Sequence, residues 1–202
     1  MKILKIILAV ICLNAFAFAI DKSEIKPVMS DKVANAVSIL KDSAISKENK
    51  PKQIFALFDS LFDYKTMAKL SLSKHYKSLT PEQVAKFNEA YEAHLKQTFI
   101  DKLALYTNQE MKVINATEPN EKRVYLKTEI IGEDKNYPID FKFFPSENDW
   151  RIYDVDILGI SLVQTYRSQF GDVVENVSFD ELLKRLSQTN LPDSKWAKFL
   201  EF

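Results

Sequence analysis

Few residues of this chain could perform covalent chemistry. The 202-residue sequence contains one cysteine, Cys12, and two histidines, His75 and His94. It has no G-x-S-x-G nucleophile elbow, and its histidines are too few for the clustered ligands of a zinc site. His75 stands near the end of a helical pattern and His94 lies off an apolar helical stripe, so both are predicted to be surface residues. The sequence therefore predicts no catalytic residue, no metal site and no cofactor.

The composition excludes further classes of protein. Lys and Arg together number 28 and so do Asp and Glu, whereas binding to nucleic acid or to an anionic membrane requires an excess of positive charge. Only three glycines are present, too few for a glycine-rich phosphate loop. Nucleotide chemistry is therefore not expected.

The N-terminus has the features of a secretory signal peptide. Lys2 and Lys5 precede an apolar run over residues 6–13, and small residues follow, ending with Ala17 and Ala19. Cleavage after Ala19 is favoured, and cleavage after Ala17 is the alternative. The run is shorter than the roughly 20 residues of a membrane-spanning helix. We therefore expect a signal peptide over residues 1–19 and a single exported domain over residues 20–202.

Cleavage would also remove the only cysteine. Cys12 follows Ile11 rather than a small residue, which argues against a lipid anchor. The mature chain could then form no disulfide, so packing must stabilise it.

Hydrophobic periodicity divides the domain into two parts. From about Ser23 to Tyr106 the apolar residues recur at helical spacing. Thr80-Pro81-Glu82-Gln83 predicts the start of the longest helix, because it combines an N-cap threonine, a proline at the first helical position and a capping-box glutamine. Ser178 and Glu181 predict a second capping box at the last helix.

Between Met111 and Ile157 the period is two, which is typical of strands. Turns are predicted at 118–120, 132–134 and 146–149, and such short connections imply antiparallel neighbours. The expected fold is α+β: N-terminal helices, a four-stranded antiparallel meander sheet, and C-terminal helices packed with the sheet around an apolar pocket.

The segment from Trp150 to Phe170 joins the sheet to a helix. Tyr153, Val155 and Ile157 alternate with polar residues as in a strand, and helical spacing resumes after Gly159. The motifs W-x-x-YDV, GISLV and YRSQF in this segment resemble the MlaC-type, or toluene-tolerance, family of auxiliary proteins of ABC transporters.

The resemblance covers most of the mature chain. It extends upstream through Phe62-Asp63, Met67-Ala68 and Thr80-Pro81-Glu82-Gln83 to Phe87 and Tyr91. Relatives usually place a glycine and then a tryptophan before the Thr-Pro helix, whereas this chain has Ser71 or Ser73 and then Tyr76. The departure concerns local detail.

The resemblance implies a function. Members of the family hold phospholipid tails between sheet and helices, and they carry lipid through the periplasm between an outer-membrane lipoprotein complex and an inner-membrane ABC transporter complex with an MCE component. By this resemblance the chain is expected to be a monomeric, non-enzymatic carrier that supports outer-membrane lipid asymmetry. A periplasmic adaptor without lipid is the alternative, because periodicity alone does not distinguish a packed core from a cavity; a lipid hydrolase is a further one.

The expected pocket residues come from the long helix, the sheet and the helix after Gly159. They are Tyr91, Leu95, Phe99, Ile139, Phe141, Val155, Ile157, Val163, Tyr166 and Phe170. For the head group, the resemblance makes Arg167 and Ser161 candidates, since a guanidinium or a hydroxyl near a helix start can bind phosphate. The alternatives are an ion pair of Arg167 with Asp154 or Asp156, a solvated Arg167, and a capping role for Ser161.

Overall fold

The computed structural model describes residues 19–104, 110–132 and 135–188, so most of the expected signal peptide lies outside it. Within these residues, helices and strands follow the predicted α+β order. They are α1 (Ile25–Lys41), α2 (Lys50–Phe58), α3 (Tyr64–Leu72), α4 (Pro81–Leu103), β1 (Glu110–Asn120), β2 (Arg123–Ile131), β3 (Asn136–Ser146), β4 (Asp149–Ile157), β5 (Ile160–Ser161), α5 (Leu162–Asn176) and α6 (Phe179–Ser187). Short 3-10 turns span Lys22–Glu24, Asp59–Leu61 and Ser73–Ser78. None of the described helices is both long and apolar enough to cross a membrane.

The capping chemistry predicted for α4 is present. The N–H of Thr80 donates to the Gln83 side chain at 2.9 Å, and the N–H of Gln83 donates to the Thr80 hydroxyl at 3.3 Å. At α6 only half of the predicted box forms. The Ser178 hydroxyl accepts from the N–H of Glu181 at 3.1 Å, but the Glu181 carboxylate accepts from Arg185 instead of returning to the cap.

The sheet has five antiparallel strands in the order β1-β2-β3-β4-β5, one more than predicted. The extra strand arises because Leu158 and Gly159 both have positive φ, 54° and 78°. Two such residues make a tight hairpin, and β5 pairs back onto the end of β4 through Ile157 and Ile160. The helix expected directly after Gly159 therefore begins at Leu162.

The first predicted turn is also displaced. β1 continues through the predicted turn at 118–120 to Asn120, and the chain reverses at residues 121–122. Pro119 is tolerated because β1 is an edge strand, where its missing N–H disrupts no ladder bond to a second neighbour. The turn at 146–149 lies where it is predicted, between β3 and β4, and the turn at 132–134 lies partly outside the described residues.

A bulge in β4 changes which side chains face the helices. Phe141 pairs with Val155 but Phe143 pairs with Ile152, so one extra residue lies on β4. The bulge inverts the alternation: Ile152 is buried, whereas the Tyr153 ring packs against Phe144 on the opposite face. The prediction that Tyr153 shares a face with Val155 and Ile157 is therefore wrong.

The tightly packed core lies where α3, α4, α5 and α6 meet. Its centre is an aromatic group of Phe87, Tyr91, Tyr166 and Phe170, whose ring centroids lie 5.2–6.1 Å apart in mostly edge-to-face contacts. The hydroxyls of Tyr91 and Ser71 share a hydrogen bond of 3.1 Å. This core holds α5 and α6 against α4 and leaves the other end of the sheet to α1 and α2.

Candidate functional site

A cavity of about 160 Å³ lies between the inner face of the sheet and the helices α1, α2 and the end of α4. Its wall is apolar almost throughout. The lining residues are Val33, Ala36, Val37, Leu40, Ile54, Phe55, Phe58, Phe62, Phe99, Lys102, Leu103, Met111, Ile130, Ile139, Phe141, Val155 and Ile157. An apolar wall of this kind suits an apolar ligand.

The cavity is covered by α1 and α2, and a lysine of each helix donates a hydrogen bond to the other helix. Lys50 donates to the carbonyl oxygen of Leu40 at 2.5 Å, in the last turn of α1. Lys32 donates to the carbonyl oxygen of Leu57, in the last turn of α2. Each ammonium group bonds a carbonyl oxygen in the last turn of the other helix, where the backbone of that helix offers no N–H partner. The two bonds join α1 and α2 as one helical hairpin over the sheet.

A polar cluster joins the end of α2 to α3 and α4. The Asp59 carboxylate accepts from the Tyr64 hydroxyl at 2.7 Å and lies 3.1 Å from the Lys96 ammonium, which also pairs with Glu92 at 2.9 Å. Burial, together with the Asp59 carboxylate, raises the pKa of Tyr64, so its hydroxyl stays protonated as a donor. The cluster fixes one end of the α1–α2 hairpin to the packed core.

The lining residues differ in how they are packed. The Phe62 ring packs on Phe99 at 5.4 Å, and Phe99 packs on Phe55 at 6.1 Å. Other lining residues, from the ends of α1 and α4 and the start of β1, are partly buried. These residues are Val37, Leu40, Lys102, Leu103 and Met111.

Five of the predicted pocket residues line this cavity. They are Phe99 from α4 and Ile139, Phe141, Val155 and Ile157 from the sheet. The alternation of β3 and of the second half of β4 therefore has the orientation that was predicted.

The other five predicted pocket residues are placed in the packed core instead. They are Tyr91, Leu95, Val163, Tyr166 and Phe170, all nearly fully buried. The expectation that they would line the cavity is corrected, because α4 is 23 residues long and its two halves meet different neighbours. Around Tyr91 the stripe packs on α5, and only near Phe99 does it reach the cavity.

The predicted pocket set omitted both covering helices. Val33, Ala36, Val37 and Leu40 of α1 and Ile54 and Phe58 of α2 line the cavity. Their spacing shows amphipathic helices, and that signal is present in the sequence. It does not show which part of the sheet those helices cover.

Neither head-group candidate lies in the cavity wall. The Ser161 hydroxyl donates to Asp154 at 2.7 Å and accepts from the N–H of Gln164 at 3.0 Å, so it caps α5. Arg167 donates from Nε to the carbonyl oxygen of Leu70 at 3.0 Å, which joins α5 to α3. This bond is different from the ion pair with Asp154 or Asp156 that was the alternative.

The two histidines lie in different surroundings. His94 is 6% exposed, so its prediction as a surface residue is wrong: α6 packs over it, and its Nδ1 lies 3.2 Å from the carbonyl oxygen of Leu186. His75 is partly exposed, with Nε2 3.3 Å from Glu175. Within residues 19–104, 110–132 and 135–188, no three His, Cys, Asp or Glu side chains are grouped so that they could hold a metal ion.

The fold and the cavity together define an α+β protein with an apolar cavity between its sheet and its helices. The sequence model of the family described as "MlaC protein" matches residues 30–188. The chain therefore belongs to the MlaC family.

Individual relatives are more distant. The chain is 27% identical over 103 residues to toluene tolerance protein ttg2D of Pseudomonas putida. The aligned region covers 50% of this chain and 48% of that protein. It is 22% identical over 123 residues to the intermembrane phospholipid transport system binding protein MlaC of Haemophilus influenzae, with 58% of each chain covered. The chain thus spans about half the length of the curated relatives it matches.

A solved structure has the same fold. It is a phospholipid-binding protein from Ralstonia solanacearum in complex with a phospholipid, with a TM-score of 0.67, 22% sequence identity, and coverage of 85% of this chain and 97% of that one. At this identity the likeness supports the arrangement of helices and sheet.

Proposed function

We propose that this protein is a periplasmic carrier that binds phospholipid in the cavity and moves it between the outer and inner membranes. The observation that carries the proposal is the apolar wall of the cavity, built by residues from α1, α2, α4 and four strands. Binding and release suffice for this function, and no bond needs to be made or broken. The protein acts without a cofactor, and the phospholipid is its cargo.

A carrier is needed because acyl chains are costly to expose to water. Moving a two-tailed lipid with about 28 methylenes from a bilayer into water costs roughly 20 kcal/mol of free energy, at about 0.8 kcal/mol for each methylene. A cavity as apolar as the bilayer makes the transfer nearly isoenergetic. The direction of transport then depends on the relative affinities of the donor and the acceptor.

The cavity must widen to hold a whole lipid. Its volume of about 160 Å³ is close to that of a dry apolar cavity of about 150 Å³ that takes up benzene, so it accommodates a segment of one chain. The covering hairpin of α1 and α2 forms one wall. Its displacement from the sheet is the simplest way to admit two acyl chains.

The names of the relatives support the cellular setting. One relative is named as the binding protein of an intermembrane phospholipid transport system, and the structural neighbour was solved with a phospholipid. We assign this chain the corresponding place: a monomer that exchanges lipid with an outer-membrane lipoprotein complex and with an inner-membrane ABC transporter complex with an MCE component. This function maintains lipid asymmetry of the outer membrane.

The test is the lipid content of the natively purified protein. Organic extracts analysed by mass spectrometry should contain phospholipid in about equimolar amount with the protein. The variant Ala36→Phe should lose most of this lipid, because Ala36 is a buried residue of the cavity wall. Its fold should be retained, since the new ring fills existing space.

Ala34→Phe provides the matched control. Ala34 lies two residues away on α1 but is exposed and does not line the cavity, so this variant should carry as much lipid as the parent. A parent protein that yields no stoichiometric lipid, even after incubation with vesicles, would instead support a periplasmic adaptor.

A further inference from the structure

The chain before α1 is joined to the start of β4 at Ile20. The N–H of Ile20 donates to Oδ1 of Asp149 at 2.7 Å, and the carbonyl oxygen of Ile20 accepts from the N–H of Trp150 at 3.0 Å. The Ile20 residue is 7% exposed, whereas Ala19 directly before it is exposed. Ile20 is thus the first described residue that packs into the folded domain.

Ile20 is also the residue that follows the favoured cleavage site of the expected signal peptide. A signal peptidase hydrolyses the Ala19–Ile20 peptide bond with one water molecule. The water oxygen joins the carbonyl carbon of Ala19, which leaves as a carboxylate, and the two water protons join the Ile20 nitrogen, which becomes an ammonium group. A free α-amino group is mostly protonated at neutral pH. The nitrogen that faces Asp149 would thus change from a neutral to a positively charged donor.

The Asp149 carboxylate is suited to receive this charge. Its side chain is 14% exposed, and a partly buried pair of charges is screened much less than an exposed one. Oδ2 of Asp149 pairs with Nε of Arg151, while Oδ1 faces the Ile20 nitrogen. A hydrogen bond between two charged groups is roughly twice as strong as one between neutral groups. Cleavage would therefore strengthen a contact that the fold already makes.

We propose that cleavage after Ala19 gives Ile20 an ammonium group that forms an ion pair with the Asp149 carboxylate and secures the chain before α1 to β4. The ion pair exists only in the processed protein, because in the precursor the same nitrogen belongs to an uncharged peptide bond. Cleavage after Ala17 would leave two residues in front of Ile20 and would not form the ion pair. The inference rests on the export that the proposed function requires, and it does not depend on lipid binding.

The first measurement is the intact mass of the protein purified from the periplasm of a bacterium that expresses the full chain. We expect the mass of residues 20–202. The mass of residues 18–202 would show that cleavage occurs after Ala17 and would overturn the proposal.

The second measurement is urea unfolding of two versions of the chain, each released from the same removable fusion tag. One version begins at Ile20, and the other keeps Ala19, so that its Ile20 nitrogen remains an amide. We expect the ratio of folded to unfolded protein, extrapolated to zero urea, to be about tenfold higher for the version that begins at Ile20. Equal ratios would overturn the proposal.

Asp149→Asn, introduced into both versions, identifies the partner of the ammonium group. The amide oxygen still accepts a hydrogen bond but carries no charge, and the effect on Arg151 is common to both versions and cancels. We expect the tenfold difference between the versions to fall to about twofold or less. Persistence of the full difference in Asp149→Asn would overturn the assignment of Asp149.

Glu147→Gln is the matched control. It removes an exposed acid two residues before Asp149, so the difference between the two versions should stay about tenfold. Loss of the difference in this variant would show that the general charge of the turn, and not the Asp149 carboxylate, interacts with the ammonium group, and it would overturn the proposal.

The lipid content of the same protein separates this inference from the proposed function. A protein that carries phospholipid but has equal stability in the two versions would refute only the ion pair. A protein that carries no lipid but shows the tenfold difference, abolished by Asp149→Asn, would refute the carrier and support the ion pair.

Discussion

The Ser161 hydroxyl donates a hydrogen bond of 2.7 Å to the Asp154 carboxylate, which links β4 to the start of α5. The same carboxylate accepts from the N–H groups of Val155 and Val163 and from the Lys142 ammonium, at 2.9–3.1 Å. A negative charge at a helix N-terminus is favourable. Asp154 and Ser161 therefore join β4 to the start of α5.

Asp154→Asn should destabilise the protein strongly. The amide has one acceptor oxygen where the carboxylate has two, and it leaves Lys142 without part of its charge partner. We expect the free energy of unfolding, measured by urea titration, to fall by about 3 kcal/mol. Asp31→Asn, on the exposed side of α1, should change it by less than about 0.5 kcal/mol. Equal losses in the two variants would contradict the linking role of Asp154.

Ser73→Gly should stabilise the protein. Ser73 has φ 53° and ψ −122°, a conformation that glycine adopts without strain and other residues do not. Relief of this strain should add about 1 kcal/mol and raise the melting temperature by about 2–4 °C.

Ser71→Gly is the contrasting variant. Ser71 lies within α3 and bonds the Tyr91 hydroxyl, so glycine there should lower the stability by about 1–2 kcal/mol. Opposite signs for the two variants would show that the strained backbone lies at Ser73 and not at Ser71. A loss of stability in Ser73→Gly would show that its backbone is not strained.

The stability should fall in mild acid because of His94. Burial lowers the pKa of His94 below its ordinary 6.5, although the hydrogen bond to Leu186 partly opposes this. Below about pH 6.5 the unfolded chain binds a proton at His94 more readily than the folded protein does. The free energy of unfolding therefore decreases as the pH falls towards the folded pKa. Above that range this contribution is constant.

The measurement is the urea midpoint between about pH 8 and pH 5. His94→Gln should show a flatter pH dependence than the parent. An unchanged slope in His94→Gln would show that His94 does not titrate differently on folding.

Phe170→Ala and Phe141→Ala should separate the packed core from the cavity wall. Phe170 is fully buried among the rings of Phe87, Tyr91 and Tyr166, so its truncation should cost about 3–5 kcal/mol. Phe141 borders the cavity and has fewer partners on that side, so its truncation should cost clearly less. Thermal or urea unfolding measures both, and equal costs would indicate that Phe141 is packed as tightly as Phe170.

Much of the fold was predictable because its signals are local. The capping box of Thr80 and Gln83 defines the start of α4 through atoms only three residues apart, and the period of two indicates β1 to β4. The fifth strand and the bulge in β4 were not predictable in the same way. Each depends on backbone angles and strand pairing that involve distant residues, such as Phe143 opposite Ile152.

The candidate site was only half predictable for a related reason. Helical spacing shows that Tyr91 and Phe99 share one stripe, but it does not show that α5 covers the first and leaves the second facing a cavity. Likewise, the apolar spacing around Val33 and Ile54 predicts amphipathic helices without indicating their partner.

By itself the sequence determined the elements, their order and the apolar faces that must be buried, because these follow from side-chain chemistry within a few residues along the chain. The tertiary structure alone decided where those faces close tightly, around Phe87 and Phe170, and where they leave a cavity, between Ala36 and Phe141. The reason is that packing density depends on how whole elements meet in space, and residues far apart in sequence set that distance.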